Sequence, residues 1–474
     1  MSEKIIINPI TRISGFMEIE VTVENRRIVD AKTKGQMFRG FEMMLNGRAP
    51  LDAIYYTERI CGICSTAHSL AATLALEQAF GVGPTAQGRY VRDFMHGCEF
   101  LQNHIRHFYQ FTVPDFVKMP ENYPLYQTNF RDFRLPKDAN DLLVQHYFDS
   151  LPFSRAAHQL LALFGGKAPH NHGIFMGGTT ARISADSIVR CRSILQGIGD
   201  FIENVMIPDV GTLARYYPDY YENGAGYGNL LSFGCFDGYP ELGTLYIDPS
   251  VSVNAAAGGT VRGLDPGRIT EEIDYSWYID SVDTYTPFET IPMDDQNKEG
   301  AYSFIKASKL ENLSFEVGPL ARQWLSGEYR RGISTMDRYI ARVLEAKKIH
   351  EILLTLLDQM IPGPTGQAVY ITPDSARGQG LTDTTRGALG HWIKIENSVL
   401  DFYQIITPSV WNLSSHGNDG SPGTSERALI GTELADEDRP AEIGRIIRSF
   451  DPCVSCATHV FYPNKEPKFI TVVP

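Results

Sequence analysis

Cysteine is scarce in this chain, with 7 among 474 residues. The count is odd and the chain long, so a disulfide scaffold is excluded. No window approaches the roughly 18 consecutive apolar residues of a membrane span. The opening stretch, Met1-Ser-Glu-Lys-Ile-Ile-Ile-Asn8, lacks the long apolar core of a signal peptide. Positive charge is in deficit: 43 Lys and Arg stand against 56 Asp and Glu, a net charge of -13. The basic residues are not clustered with aromatics, so nucleic acid is not an expected partner. Linkers, internal repeats and low-complexity runs are also missing, which predicts one large unit rather than a string of domains.

Four of the few cysteines stand as two Cys-x-x-Cys pairs at opposite ends of the chain. Cys61 and Cys64 lie in Glu58-Arg-Ile-Cys-Gly-Ile-Cys-Ser65, Cys453 and Cys456 in Asp451-Pro-Cys-Val-Ser-Cys-Ala-Thr-His459. Each pair sets two soft ligands about one helical turn apart, near a turn or helix start where backbone N–H groups favour the ionised sulfur. Four thiolates by themselves suit structural zinc or an iron–sulfur cluster. A structural zinc, however, staples small units that lack a core, and almost the whole of this long chain lies between the pairs. The remaining Cys98, Cys191 and Cys235 are isolated and read as small buried apolar residues.

The fold class expected is α+β, mainly helical: a large helix bundle with N-terminal antiparallel strands and irregular β and loop insertions. Met17–Glu24 alternates apolar and polar residues, and Ile28–Ala31 follows a short polar turn, the pattern of paired strands. Ser69–Phe80 is helical and Gly81 a C-cap, which places Cys64 near a helix start. Helical recurrence continues near 88–112, 139–163, 184–206, 319–361 and 440–450. Segment 215–300, rich in Tyr, Gly, Pro and Asp, predicts loops and short strands. Asp451-Pro452 ends the last helix and delivers the second cysteine pair in a turn.

The polar neighbours of the cysteines are not those of a plain zinc knuckle, and with them the chain resembles the large, catalytic subunit of nickel–iron hydrogenases. The resemblance is carried by Arg-x-Cys-Gly-x-Cys and Asp-Pro-Cys-x-x-Cys-x-x-His. It is also carried by Pro9-Ile-Thr-Arg12, Met37-Phe-Arg-Gly-Phe-Glu42, Gly165-Gly-Lys-Ala-Pro-His170 and Arg386-Gly-Ala-Leu-Gly-His-Trp392. It covers essentially the full length, and implies the hydrogenase large-subunit fold and cleavage of dihydrogen to protons and electrons.

Position by position, the resemblance implies nickel held by Cys61, Cys64, Cys453 and Cys456. Cys64 and Cys456 would be shared with an iron that carries carbon monoxide and two cyanides. Cys453 would take the proton, Arg386 would overhang the open face, and Asp451 would restrain Arg386. Ser409 would hydrogen-bond an iron-bound cyanide. Glu42, the carbonyl near Ile405 and His459 would hold magnesium or a similar ion. His68 would face the same region or be a core histidine, and His104, His107 and His170 read as structural. Two positions depart from the common pattern. Ser14 replaces a glutamate usually assigned as the first proton relay, and Asn103 stands where many relatives have an aspartate beside the arginine.

Too few cysteines remain for an electron relay, so a separate iron–sulfur small subunit is implied, together with a maturation protease and nickel-insertion proteins. By the same resemblance residues 1–459 form one unit, and 460–474 a tail removed after nickel insertion. The subunit would be metallated in the cytoplasm, then exported with its partner or retained. A hydrogen-sensing subunit with the same centre is the alternative, and a zinc-stabilised or metal-free relative the third reading.

Overall fold

The computed structural model describes residues 3–120, 131–279, 285–289 and 293–454. As the alternation predicts, strand β2 (Met17–Glu24) buries Met17, Ile19, Val21 and Val23 on one face. It pairs antiparallel with β3 (Arg27–Gly35) and with β1 (Glu3–Ile7), an edge strand that the apolar Ile5-Ile-Ile7 run did not announce. Two short helices follow, α1 (Phe41–Leu45) and α2 (Asp52–Glu58). Helix α3 (Ser65–Phe80) begins with Cys64 as its N-cap and ends at Gly81, whose φ of 66° is the left-handed C-cap expected of glycine there.

The bundle is built from α4 (Ala86–Arg106), α5 (Lys137–Gly165), α6 (Ala185–Phe201) and α7 (Ile207–Tyr216), with α8 (Pro319–Ser326) and α9 (Thr335–Asp358). Helices α4 and α6 each run on into a wide π turn, His107–Thr112 and Ile202–Met206, so the predicted ends at 112 and 206 match continuous helical backbone. The expected single stretch 319–361 is divided. Gly327 (φ 87°) closes α8, and Ser334 with Asp337 forms a capping box that starts α9 anew. The described residues between 215 and 300 hold the tail of α7, short strands, single 3-10 turns and loops, as their composition suggests.

The larger surprise is a three-stranded antiparallel meander, Ala376–Thr384, Gly387–Glu396 and Val399–Ile406. Helix α3 lies across its first strand. A Cβ at Gly378 would strike the carbonyl oxygen of Ala75, and one at Gly380 that of Ala71, so both positions demand glycine for the helix to sit this close. Thr384 pairs with Gly387, which leaves Thr385 and Arg386 as a two-residue hairpin tip. That tip is buried.

The last elements are α10 (Pro408–Asn412), α11 (Thr424–Leu429) and α12 (Ala441–Ser449). Past α12 the backbone turns at Asp451 (φ 55°), a residue type that tolerates the left-handed region, and Pro452 prevents helix from resuming. Asp115 binds Arg12 (2.5 Å) and Arg448 (2.7 Å), pinning the N-terminal loop to α12. Ser14 and Cys453 then pair as adjacent backbone, with Ser14 N–H donating to Pro452 O (3.1 Å) and Val454 N–H to Ser14 O (2.7 Å). The fold thus joins its two ends, and the architecture is the mainly helical α+β one expected.

Candidate metal centre

Where α2 ends and α3 begins, Cys61 and Cys64 face Cys453 from the other end of the chain. The three Sγ atoms lie within 4.8 Å of one another, and all three residues are buried. Cys61 and Cys453 sulfurs are 3.5 Å apart, and among the described residues no cysteine forms a disulfide. Cys61 Sγ accepts the amide N–H groups of Ile63 (3.2 Å) and Cys64 (3.4 Å), the helix-start arrangement that favours thiolate. Arg39 braces the motif from outside by donating to the carbonyls of Ile60 (2.7 Å) and Arg59. Cys453 N–H donates to Ser409 Oγ (3.1 Å), so Ser409 sits directly behind the sulfur-bearing turn.

Arg386 reaches this cluster from the hairpin tip. Its Nε donates to Asp451 O (2.9 Å), and its Nη2 pairs with Asp451 Oδ1 (3.0 Å) and donates to Asn103 Oδ1 (3.2 Å). Asn103 Nδ2 donates in turn to Asp451 Oδ2 (2.7 Å), closing a triangle. Arg386 Nη1 is buried and has no hydrogen-bond partner among the described residues. Burial acts to lower the Arg386 pKa, but the charges of Asp451, Cys453, Cys64 and Cys61 outweigh it and hold the guanidinium firmly protonated. Burial likewise acts to raise Asp451, yet Arg386, His107 and Arg342 keep it well below the usual carboxylate range.

Arg342 was not foreseen: it lies 3.7 Å from Asp451, so two guanidinium groups share one carboxylate where Asn103 contributes none. Its sequence neighbourhood in α9 is ordinary helix and gives no signal. His104 bonds Glu345 (2.7 Å) and His107 bonds Arg448 O (2.8 Å), both in structural roles. His68 is buried and paired through Nδ1 with His391 (3.1 Å), which is itself tied to Tyr403 (2.8 Å), while its Nε2 has no hydrogen-bond partner among the described residues. Burial pushes its pKa down to about 4, against the pull of Cys453.

Glu42 on α1 and Ile405 on the third meander strand belong to elements that pack together. Burial raises the Glu42 pKa, opposed by Lys306. Lys306 pairs with Glu271 (3.1 Å), which also takes Gln404, a polar cluster that sequence reasoning missed because its members are remote along the chain. Cys456 and His459 lie outside the described residues.

Buried thiols with amide-stabilised sulfur and an orphan guanidinium nitrogen suit a soft transition metal with an open position better than a closed structural site. The sequence model of the nickel-dependent hydrogenases matches residues 39–125, 121–332 and 325–459.

The chain belongs to the nickel-dependent hydrogenase family.

Its resemblance to the periplasmic [NiFeSe] hydrogenase large subunit of Desulfomicrobium baculatum is 33% identity, over 97% of this chain and 95% of that protein. The Hydrogenase-1 large chain of Escherichia coli is 29% identical, over 96% of this chain and 95% of that one. The solved Ni-Fe-Se hydrogenase of D. vulgaris Hildenborough superimposes with a TM-score of 0.92 at 35% identity, covering 97% of this chain and all of that one. The chain is therefore the catalytic large subunit of a nickel-dependent hydrogenase, an oxidoreductase acting on dihydrogen at a nickel–iron centre. This hydrogenase chain carries cysteine at all four positions of its two pairs.

Proposed function

We propose that this large subunit cleaves dihydrogen heterolytically and reversibly into two protons and two electrons, and passes the electrons to a separate iron–sulfur small subunit. The observation that supports this most is the convergence of Cys61, Cys64 and Cys453 beneath a guanidinium with one nitrogen left over. In this reading Cys61, Cys64, Cys453 and Cys456 would hold nickel, and Cys64 and Cys456 would also hold the iron, whose carbon monoxide and two cyanides would come with the metal. The metal pair, when bound, supplies the Lewis acidity that so weak an acid as dihydrogen requires.

The chain supplies the base and the orientation. Cys453 Sγ accepts the proton as the H–H bond polarises, because it is a thiolate at the open face. Arg386 Nη1 stabilises the charge that develops there, in a site closed to water where a fixed donor acts strongly. Asp451 is a positioning residue: with Asn103 it holds Arg386 through three contacts, so the fourth direction is fixed without loss of entropy during reaction. Ser409 anchors the Cys453 amide and leaves its own hydroxyl hydrogen for an iron-bound cyanide.

Glu42, the Ile405 carbonyl and His459 hold magnesium or a similar ion, for which the carboxylate and carbonyl are apt oxygen ligands. Residues 1–459 act as one unit, and 460–474 are removed by a maturation protease once nickel-insertion proteins have delivered the metal. Among the described residues no helix is long and apolar enough to cross a membrane. The Desulfomicrobium relative is periplasmic by name, and export alongside the small subunit after cytoplasmic metallation is the route we favour. The test is dye-coupled dihydrogen oxidation by the purified heterodimer, with infrared bands of iron-bound carbon monoxide and cyanide. Nickel without turnover, in the presence of an artificial acceptor, would overturn the catalytic reading.

A further inference from the structure

A second buried guanidinium stands behind the Arg386–Asp451 pair, and the chemistry so far gives it no task. Arg342, on α9, is 1% exposed. Its Nη2 donates to the carbonyl of Ser449 (3.1 Å), the last residue of α12. Its Nη1 lies 3.7 Å from Asp451 Oδ2, within ion-pair range, and neither Nη1 nor Nε makes a hydrogen bond among the described residues. Glu345, one turn further along α9, gives its two oxygens to Arg322 (2.7 Å to each), His104 and Tyr246 instead. A buried guanidinium with one hydrogen bond recovers little of the hydration it has lost. Methionine would fill the same space without that cost.

Arg342 spans two links of the segment that leads to Cys453. Ser449 ends α12, and Asp451 turns the backbone in the left-handed region before Pro452. Tyr339, one turn earlier on α9, holds the same helix end by donating to Arg445 O (2.6 Å). Arg342 extends that grip to the carboxylate, whose two oxygens have different company. Oδ1 faces Arg386 Nη2 at 3.0 Å, while His107 Nε2, 4.0 Å from it, donates to Arg448 O (2.8 Å). Oδ2 accepts from Asn103 Nδ2 (2.7 Å) and faces Arg342. An arginine that meets a carboxylate unopposed tends to form two parallel hydrogen bonds, one to each oxygen. Here Oδ2 is drawn the other way, so Arg386 meets Oδ1 alone and its Nη1 is left over.

We propose that Arg342 is a positioning residue for dihydrogen splitting: by holding Asp451 Oδ2 from behind, it prevents a two-pronged Arg386–Asp451 pair and keeps Arg386 Nη1 free for the reacting face. This rests on the reading of the chain as a dihydrogen-splitting subunit. Asn103 holds the same oxygen by a hydrogen bond from a neutral amide, and Arg342 holds it by charge. An aspartate at position 103 would repel Oδ2 instead of donating to it, so Asn103 and Arg342 work as one device. Arg342 acts through Asp451 and Arg386, not on the reacting atoms.

Arg342→Met in the whole heterodimer tests this, because it keeps length and packing and removes the charge. Nickel content and the infrared bands of iron-bound carbon monoxide and cyanide should match the parent. The unfolding temperature should stay within about 4 °C of the parental value. Dye-coupled oxidation per nickel should fall about a hundredfold in kcat, with KM for dihydrogen unchanged. Arg342→Lys keeps a cation near Oδ2 but has no second nitrogen for Ser449, and should lose about tenfold. With Asp451→Asn no charge is left to hold, so adding Arg342→Met to that variant should slow it no further. Parental kcat in both Arg342 variants would overturn the proposal, as would losses that multiply in the double variant. Should Arg342→Met fail to assemble, Arg342→Lys carries the test: a parental rate, or a loss that only follows its nickel content, would overturn it. A parent protein with nickel but no turnover would refute the catalytic reading itself, a result distinct from any of these.

Discussion

Replacing Arg386 by lysine is the perturbation whose size the structure fixes best. The guanidinium makes three defined contacts, Nε to Asp451 O (2.9 Å), Nη2 to Asp451 Oδ1 (3.0 Å) and Nη2 to Asn103 Oδ1 (3.2 Å), and holds Nη1 in reserve. An ammonium on a shorter stem keeps the charge but has one nitrogen, so it retains the ion pair at best. Two hydrogen bonds donated by the charged guanidinium are lost, about 1.5 to 3 kcal/mol each, and Asn103 Oδ1 is left buried and unsatisfied. Part is recovered by relaxation, leaving a destabilisation of about 3 kcal/mol. The catalytic loss is separate: removing one preorganised donor costs about 2.7 to 4 kcal/mol of barrier, or roughly a hundred- to thousandfold in rate. Thermal unfolding of the purified heterodimer reads the first quantity, and dye-coupled oxidation normalised to bound nickel reads the second. A lysine variant that keeps its nickel and turns over at the parental rate would refute the role given to Nη1.

Other outcomes follow from the same geometry. Gly380→Ala drives a Cβ into the Ala71 carbonyl, and should cost about 1 to 3 kcal/mol in unfolding experiments while lowering nickel incorporation, because α3 carries Cys64. Ser409→Ala leaves the Cys453 amide without its acceptor, and should destabilise by about 1 to 3 kcal/mol in denaturant titration. Cys453→Ser should abolish dihydrogen oxidation while circular dichroism stays that of the parent. For Glu58 burial raises the folded pKa, to about 8 from an unfolded 4.5. The unfolded chain therefore loses that proton first, so this contribution to stability is full below about pH 4.5 and lost as pH rises through 8. Stability measured from pH 5 to 8 should decline less in Glu58→Gln than in the parent. Asp451 has the opposite sign: its folded pKa is depressed, so its contribution is present above the unfolded value near 4 and is lost on acidification below it.

The parts of the fold that are local in sequence were legible there. Met17–Glu24 shows itself by alternation and α3 by its glycine stop, and the helix ends at Asp451-Pro452 for the reason proline always gives. The meander was not legible, because its second strand is buried on both faces from Gly387 to Ile393, and Gly-Ala-Leu-Gly-His-Trp-Ile therefore shows no period-two alternation. The division between α8 and α9 was written in Gly327 and Ser334-x-x-Asp337, signals outweighed by continuous helical recurrence on either side. For the site, paired cysteines and a motif arginine are visible as motifs. Arg342 and the Lys306–Glu271–Gln404 cluster are not, since each acquires meaning only when distant elements pack. Asn103 was legible as a missing carboxylate, but its actual work, bridging Arg386 to Asp451 with both ends of its amide, required the structure.

Nickel K-edge X-ray absorption on the purified heterodimer bears most directly on the meeting of the two cysteine pairs. The expected spectrum shows about one nickel per chain with a first shell made of sulfur, and a shell diminished by Cys64→Ser and by Cys453→Ser alike. A nickel coordinated only by oxygen and nitrogen, or a sulfur site filled by zinc with nickel absent, would contradict it.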